Sequence, residues 1–485
     1  MKKLTYIVAF LTFALALQAQ DMQILAQRDL LGSARYVGMA GAMTAVGGDP
    51  SAVNDNPAGL GVYRRWDVSL SLFLNMDRVY RESEKKSIGA NTCFSVSQAS
   101  FVFGWMNQNS DKGLLFNNVM VSYHNLATYD RYYVASNRNE PYSLTQVIAA
   151  KTQGVDETAL QHTKRWESEN WLSNMAYDTY LINPSPSGVK RWDPIVETTD
   201  NVSKNQLTMR EYGHVDQYGI SWGGNISNIV YVGATLNILA IDHTQSAQYY
   251  EIFGEDCSMD NNSYVHQSGV GVNGAFGVIA HPVQWLRIGA SFTTPSAVTL
   301  TTTSYGDMRS SLYVYDSKTG KYEKESFSVA SPENSYVDRS WEMPLRVSGG
   351  LAFQVLNFGL VSLQYDYAHH KNMDDIHTFR AGLEGVIVDR FFLNAGYAFE
   401  SSFRKTWSPG ILPDNTPRTD AYSQFGKYSH YATAGFGYHG ANFTIHAAYR
   451  YRWQRGLTYA HEYANPYDWN AATHNIVLTL DFHTK

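Results

Sequence analysis

The sequence predicts an all-β protein: a 14-stranded antiparallel transmembrane β-barrel with an N-terminal plug in its lumen and a partly helical extracellular loop insert. Three observations predict it. Fourteen stretches alternate apolar and polar residues, the mark of a strand with two different faces. The links between them alternate short and long, as they do when turns face the periplasm and loops face outside. A small-residue segment, Leu30 to Leu60, precedes the first strand and is too weakly apolar to form a core of its own.

From the N-terminus, Lys2 and Lys3 give a positive start and Leu4 to Leu17 an apolar run. Leu17-Gln18-Ala19 then forms a small-residue cleavage site. Residues 1–19 therefore read as a secretory signal peptide. No later stretch approaches the roughly 18 to 20 apolar residues that a spanning helix needs, so any crossing must use strands. Aromatics make up 14% of the chain, with 34 Tyr and 11 Trp, yet mean hydropathy is −0.32. A barrel produces this average because only every second residue meets lipid. The net charge of −6, without a Lys/Arg-rich run, argues against nucleic acid as a partner.

The predicted strands are 66–76, 93–106, 114–127, 206–224, 229–241, 265–280, 285–300, 341–355, 358–369, 376–387, 390–400, 428–439, 442–453 and 474–482. In 442–453, Phe443, Ile445, Ala447, Tyr449, Tyr451 and Trp453 alternate with Thr444, His446, Ala448, Arg450 and Arg452. Two arginines on an apolar strand require a wet lumen on one side. Tyr365, Tyr367, Tyr397, Phe399, Tyr451 and Trp453 form an outer aromatic girdle, and Trp285, Phe358, Phe391 and Phe443 a periplasmic one. The short links are 107–113, 225–228, 281–284, 356–357, 388–389 and 440–441. The long ones are 77–92, 128–205, 242–264, 301–340, 401–427 and 454–473, with 370–375 a short exception. Ile476, Leu478, Leu480 and Phe482 give the last strand the pattern of an assembly-recognition strand, although His483, Thr484 and Lys485 follow the aromatic residue.

The run Gly38, Gly41, Ala42, Ala45, Asp49, Ala52, Asn56, Pro57, Ala58, Gly59 and Leu60 resembles the hatch of the FadL/TodX family of outer-membrane transporters for hydrophobic compounds. The stretches Ser268 to Gly274, Ile288 to Phe292 with Pro295, Pro344 to Gly350, Gln364 to Lys371 and Arg390 to Tyr397 also look similar to that family. The resemblance implies a hatch over 20–65 and a barrel over 66–485, with 128–205 as an extracellular insert. Gly38, Gly41, Ala42, Asp49, Asn56, Pro57, Ala58 and Gly59 would then be hatch and gating residues. It also implies capture at a surface groove, a lumen pocket beside the hatch, and lateral exit through a gap formed by the third strand. Asn117-Asn118 is the candidate irregularity there.

The inward face collects Arg287, Arg346, Asp366, Arg380, Glu384, Glu400, Arg450 and Arg452. These either pair with one another to keep the lumen wet and anchor the hatch, or one arginine receives a ligand carboxylate. In the insert, Leu144, Val147, Ile148, Trp166, Leu172 and Met175 recur at helical spacing beside Trp171. This stripe either packs the loop onto the barrel mouth or forms an apolar groove that captures ligand.

Cys93 and Cys257 both fall toward the outer side, which leaves a disulfide open. No catalytic constellation, cofactor motif or metal-ligand spacing is present. His369 and His370 would point to opposite faces of a strand.

The expected function is passive uptake of hydrophobic or amphipathic small molecules, such as long-chain fatty acids or aromatic hydrocarbons, across a Gram-negative outer membrane. The expected partners are that ligand, outer-membrane lipid and the barrel assembly machinery, with the chain acting as a monomer. A haem-binding receptor and a structural or adhesive barrel are the alternatives.

Overall fold

The computed structural model describes residues 27–81, 86–107, 112–168, 170–197, 201–355, 358–370, 374–388, 390–401 and 418–484. The expected signal peptide and residues 20–26 lie outside the described residues, as does most of the loop 401–427.

The wall begins with β1 (Asp67–Arg81), β2 (Lys86–Met106), β3 (Leu114–Glu140), β6 (Val202–Ile226), β7 (Val230–Phe253) and β8 (Cys257–Val283). It continues through β9 (Leu286–Thr293) with its extension β10 (Ser296–Asp316), then β12 (Asn334–Met343) with its extension β13 (Leu345–Val355). It ends with β14 (Gly359–His369), β15 (Ile376–Val388), β16 (Phe391–Glu400), β17 (Ser423–His439), β18 (Phe443–Tyr459) and β19 (Tyr467–His483). The ring closes where β1 pairs β19, from Asp67↔His483 to Arg81↔Trp469. This is a closed 14-stranded antiparallel barrel.

Alternation sorts the faces. Leu236 and Ile238 point outward at 57% and 49% exposure, while the intervening Asn237 is buried. Tyr449 is exposed and Arg450 fully buried, which puts the arginine in the lumen and spares the bilayer a charge.

Several strands run well beyond the lengths the alternation predicts. β3 extends to Glu140, β7 to Phe253 and β8 starts at Cys257. Above the lipid, the inner face packs under a cap and the outer face is polar, so pairing continues where the contrast in hydropathy ends. The expected single strand 285–300 is interrupted at Thr294-Pro295, and its partner 341–355 at Pro344. Proline has no N–H to give the ladder. Much of the expected loop 301–340 is strand as well, with β11 (Lys321–Ala330) folding back on the top of β10.

The insert narrows to 141–201. It holds α3 (Leu144–Thr152), α4 (Glu157–Gln161), α5 (Arg165–Ser168), α6 (Trp171–Asp178) and the small pair β4 (Ile182–Pro184) and β5 (Trp192–Pro194). Ser143, Asp156 and Asn170 cap α3, α4 and α6, each accepting a backbone N–H with its side-chain oxygen.

Residues 27–63 lie inside the ring of strands. They form α1 (Ala34–Gly38), α2 (Pro50–Asp55) and a 3₁₀ turn (Pro57–Val62). Their bonds reach β19 (Ala34 N to Thr479 Oγ1, 2.7 Å), β14 (Thr44 N to Gln364 Oε1, 2.9 Å) and β8 (Asn56 Nδ2 to the Val278 carbonyl, 3.3 Å).

Candidate functional site

The segment is seated backbone against backbone. A Cβ on Gly233 would overlap the Pro57 carbonyl, and one on Gly289 the Thr44 carbonyl, so the wall admits the segment only where it lacks side chains.

The eight residues singled out in the segment are all buried. Gly38 faces Asn394 and Gly435, and Gly41 takes φ +71° beside Arg380. Ala42 and Ala58 have no exposed surface. Asp49 caps α2 and accepts from Ser33 Oγ at 2.6 Å. Asn56 caps the 3₁₀ turn, accepting from Ala58 N and donating to the Thr44 carbonyl at 2.7 Å. Pro57 fills the first position of that turn, and Gly59 lies against Gly47.

The inward charges hold this segment. Arg35 forms a two-pronged pair with Glu384 at 2.7 and 2.8 Å. Arg450 and Arg452 both face Asp29, with Arg450 Nη2 to Oδ2 at 3.1 Å. Arg380 pairs Asp366 at 2.9 Å and donates to the Tyr36 hydroxyl, which donates in turn to Asp55 at 2.5 Å. Arg287 donates to the Val46 carbonyl at 2.8 Å. Glu400 stands within the field of Arg452, Arg346 and Arg380. Arg346 itself lies with Arg28 at a small void below an apolar patch. The sequence identifies the wall charges but misses Arg28, Asp29 and Arg35, which are the segment's side of the arrangement.

Above the segment a partly open cavity of about 80 Å³ is lined by Arg28, Asp29, Asp77, Arg131, Glu211 and Arg452 among others. Beside it, Leu126, Val215, Leu239, Ile241, Val298, Leu300, Trp341 and Met343 make a buried apolar patch. The lumen therefore offers an apolar wall next to a strongly polar one.

Next to that patch the wall has a seam. Among the described residues, β2 and β3 pair only from Gln98↔His124 down to Met106↔Phe116, although both strands continue upward. At the last pair each strand carries an extra residue, Ser97 on β2 and Leu126 on β3. The inward parity flips there: Ser100 and Val102 are buried below, and Ala127, Tyr129 and Tyr133 above. The segment bonds to both extra residues, Asp29 N to the Leu126 carbonyl and Ser97 Oγ to the Gly32 carbonyl, each at 2.8 Å. The irregularity is thus not at Asn117-Asn118, which pair regularly with Trp105 and Gly104.

In the insert, Leu144, Val147, Ile148, Leu172 and Met175 are buried in one cluster with inward residues of β3, β6, β7, β8 and β10, Trp166 packs against it, and Trp171 is buried edge-on against Trp166. The stripe seals the cap to the mouth, and these residues form no open groove. Helical spacing alone could not separate the two readings, because the covering surface comes from strand extensions that show no hydropathy contrast.

Cys93 and Cys257 are free cysteines. His369 is exposed and bonds Asp375 at 2.6 Å, whereas His370 is buried, so the two cannot share one ion. No cluster of three His, Cys, Asp or Glu able to hold a metal occurs among the described residues.

No family model matches the sequence, and no curated protein matches it. Solved structures do. A Pseudomonas aeruginosa FadL homologue superposes with TM-score 0.51 at 9% identity, covering 94% of this chain and 98% of that one. A deletion mutant of the TodX monoaromatic hydrocarbon channel superposes with TM-score 0.50 at 14% identity, covering 94% and 100%. The chain shares the barrel fold of these FadL-type transport proteins.

Proposed function

We propose that this protein conducts hydrophobic or amphipathic small molecules passively across the outer membrane, with residues 20–65 serving as a hatch. One observation carries the reading: the N-terminal segment bonds both extra residues of the β2–β3 seam, directly beside the apolar lumen patch. A greasy ligand resting on that patch needs only the segment to shift before it meets an unpaired stretch of wall leading to lipid. The names of the structural neighbours, a FadL homologue and a monoaromatic hydrocarbon channel, point the same way. The polar side of the lumen favours an amphipathic cargo such as a long-chain fatty acid, whose carboxylate would meet Arg28 or Arg346 while its chain lies on Leu239 and Leu300.

On this reading residues 1–19 direct export, the assembly machinery inserts the chain, and it works as a monomer. Entry requires the cap to open, because its apolar residues are already covered.

The test locks the segment. In a background with Cys93→Ser and Cys257→Ser, the pair Ala34→Cys and Thr479→Cys should crosslink, since Ala34 N and Thr479 Oγ1 are 2.7 Å apart. Uptake of oleate and of toluene should fall at least tenfold when oxidised and return on reduction. Uptake at the unlocked rate in the crosslinked protein would refute the hatch.

A further inference from the structure

The outer surface of the barrel carries a feature that the passage of ligand does not use. On the lipid-facing side of β9 and β13 to β16 lies an apolar groove of about 560 Å³, floored by Gly349, Leu351, Leu363 and Ala381. It exists because small residues interrupt a wall otherwise covered by large side chains. At Gly349 a Cβ would meet nothing within 4 Å, so the hollow there is open.

Tyr365 and Tyr397 stand at this groove, and each is bonded to a histidine. Tyr365 Oη lies 2.7 Å from His377 Nδ1, and Tyr397 Oη lies 2.6 Å from His430 Nδ1. The arrangement repeats two strands on, with Tyr449 Oη 2.6 Å from His474 Nδ1. Pairing register puts His377, His430 and His474 at one height on the tilted wall, since each two-strand step slips the level by two residues. A phenol O–H that donates into Nδ1 leaves the ring proton on Nε2, turned away from the tyrosine. Stacking of His430 on Trp453, 5.5 Å between centroids, fixes the ring further.

Positive charge sits just above. Lys427, the extra residue at a register shift of β17, is exposed beside Tyr428, and Arg455 lies over the Trp453 ring at 4.6 Å. From Tyr397 on β16 to Arg78 on β1, the outward positions at this height carry no carboxylate among the described residues.

We propose that this face is a seat for one phosphate-bearing lipid of the surrounding leaflet. An acyl chain lies in the groove, and the headgroup phosphate takes the Nε2–H donor of His430 under Lys427. A greasy groove would accept any chain, but an oriented donor at His430 under Lys427 and Arg455 selects an anionic headgroup over a neutral one, whereas the carboxylate of Asp375 beside His377 turns a phosphate away from that histidine. The seat is separate from the lumen, so it stands or falls independently of what the barrel carries.

The test compares binding of bisphosphorylated lipid A and of dephosphorylated lipid A with identical acyl chains to the full chain in detergent, by native mass spectrometry. The wild type should hold the phosphorylated form at least tenfold more tightly. His430→Phe, which keeps the girdle aromatic, should abolish that preference. Gly349→Leu, which fills the groove without a clash, should weaken both forms about tenfold. Oleate uptake should stay unchanged in both variants. Equal binding of the two lipids by the wild type would overturn the proposal, as would preference unaltered by the His430 change. Displacement of lipid A by equimolar oleate would also overturn it, by making the groove a cargo site.

Discussion

Arg450 shows how one side chain ties wall to lumen. It has no exposed surface, faces Asp29, and donates to the Leu30 carbonyl at 2.8 Å. Removing one partner of a buried pair costs about 3–5 kcal/mol when it strands the other charge, and Arg452, 3.8 Å from Asp29, puts the loss here below that. Arg450→Met should therefore lower the temperature at which the detergent-folded barrel shifts on a gel, whereas the double change with Asp29→Asn should recover most of the loss. The alternation in 442–453 makes Arg450 legible as a lumen residue, but its partner is not, because Asp29 precedes any recognisable element. His461, in the loop between β18 and β19, is equally invisible in sequence. It is completely buried in the cap, and burial pushes its pKa down to about 3. Above pH 6.5 the ring is neutral in folded and unfolded cap alike, so it contributes no pH dependence. As pH falls from 6.5 toward 3, only the unfolded cap takes up the proton, and stability is lost across that window. At pH 5 the loss is about 2 kcal/mol, less whatever attraction Glu251, 3.8 Å away, returns. Protease cleavage within 141–201 should accelerate between pH 7 and 5 in the wild type and far less in His461→Leu. Equal acceleration in both would show that another group sets the response.

The elements that sequence reveals best are those whose two faces meet different solvents. β14, β15 and β16 appear in the sequence almost residue for residue, because lipid and lumen force the period of two on them. The upper halves of β7 and β8 and the β10–β11 flap lose that period and hide among apparent loops. α6 illustrates the opposite difficulty: its apolar stripe is plain, but what covers it is not. Leu172 and Met175 are buried between the cap and the barrel mouth, so a charge at either position removes packing and leaves an unsatisfied group. Leu172→Asp should destabilise the cap by about 3 kcal/mol or more. Trypsin should then cut after Lys151, Lys164 or Arg165 while the wall below stays protected. Simultaneous loss of the gel shift would mean that cap and wall unfold as one unit.

At the scale of the whole molecule, register decides everything, since a slip of one residue would exchange lumen and lipid faces around the ring. Single cysteines at 449 and 450 should report opposite environments: a label at 449 should contact lipid, and one at 450 should be shielded. The same environment at both would refute the closure of β18 on β19. The seating of the N-terminal segment has a further meaning for how such a protein comes to exist. Its backbone rests against wall glycines on several sides, and Ala34 bonds β19, the strand that must meet β1 to shut the ring. A ring already shut would offer it only the two ends as entrances, one roofed by the cap. If the segment is seated before closure it serves as a mandrel: the last strands wrap onto it, and biogenesis becomes a matter of timing, with the earliest part of the chain waiting in place for the latest.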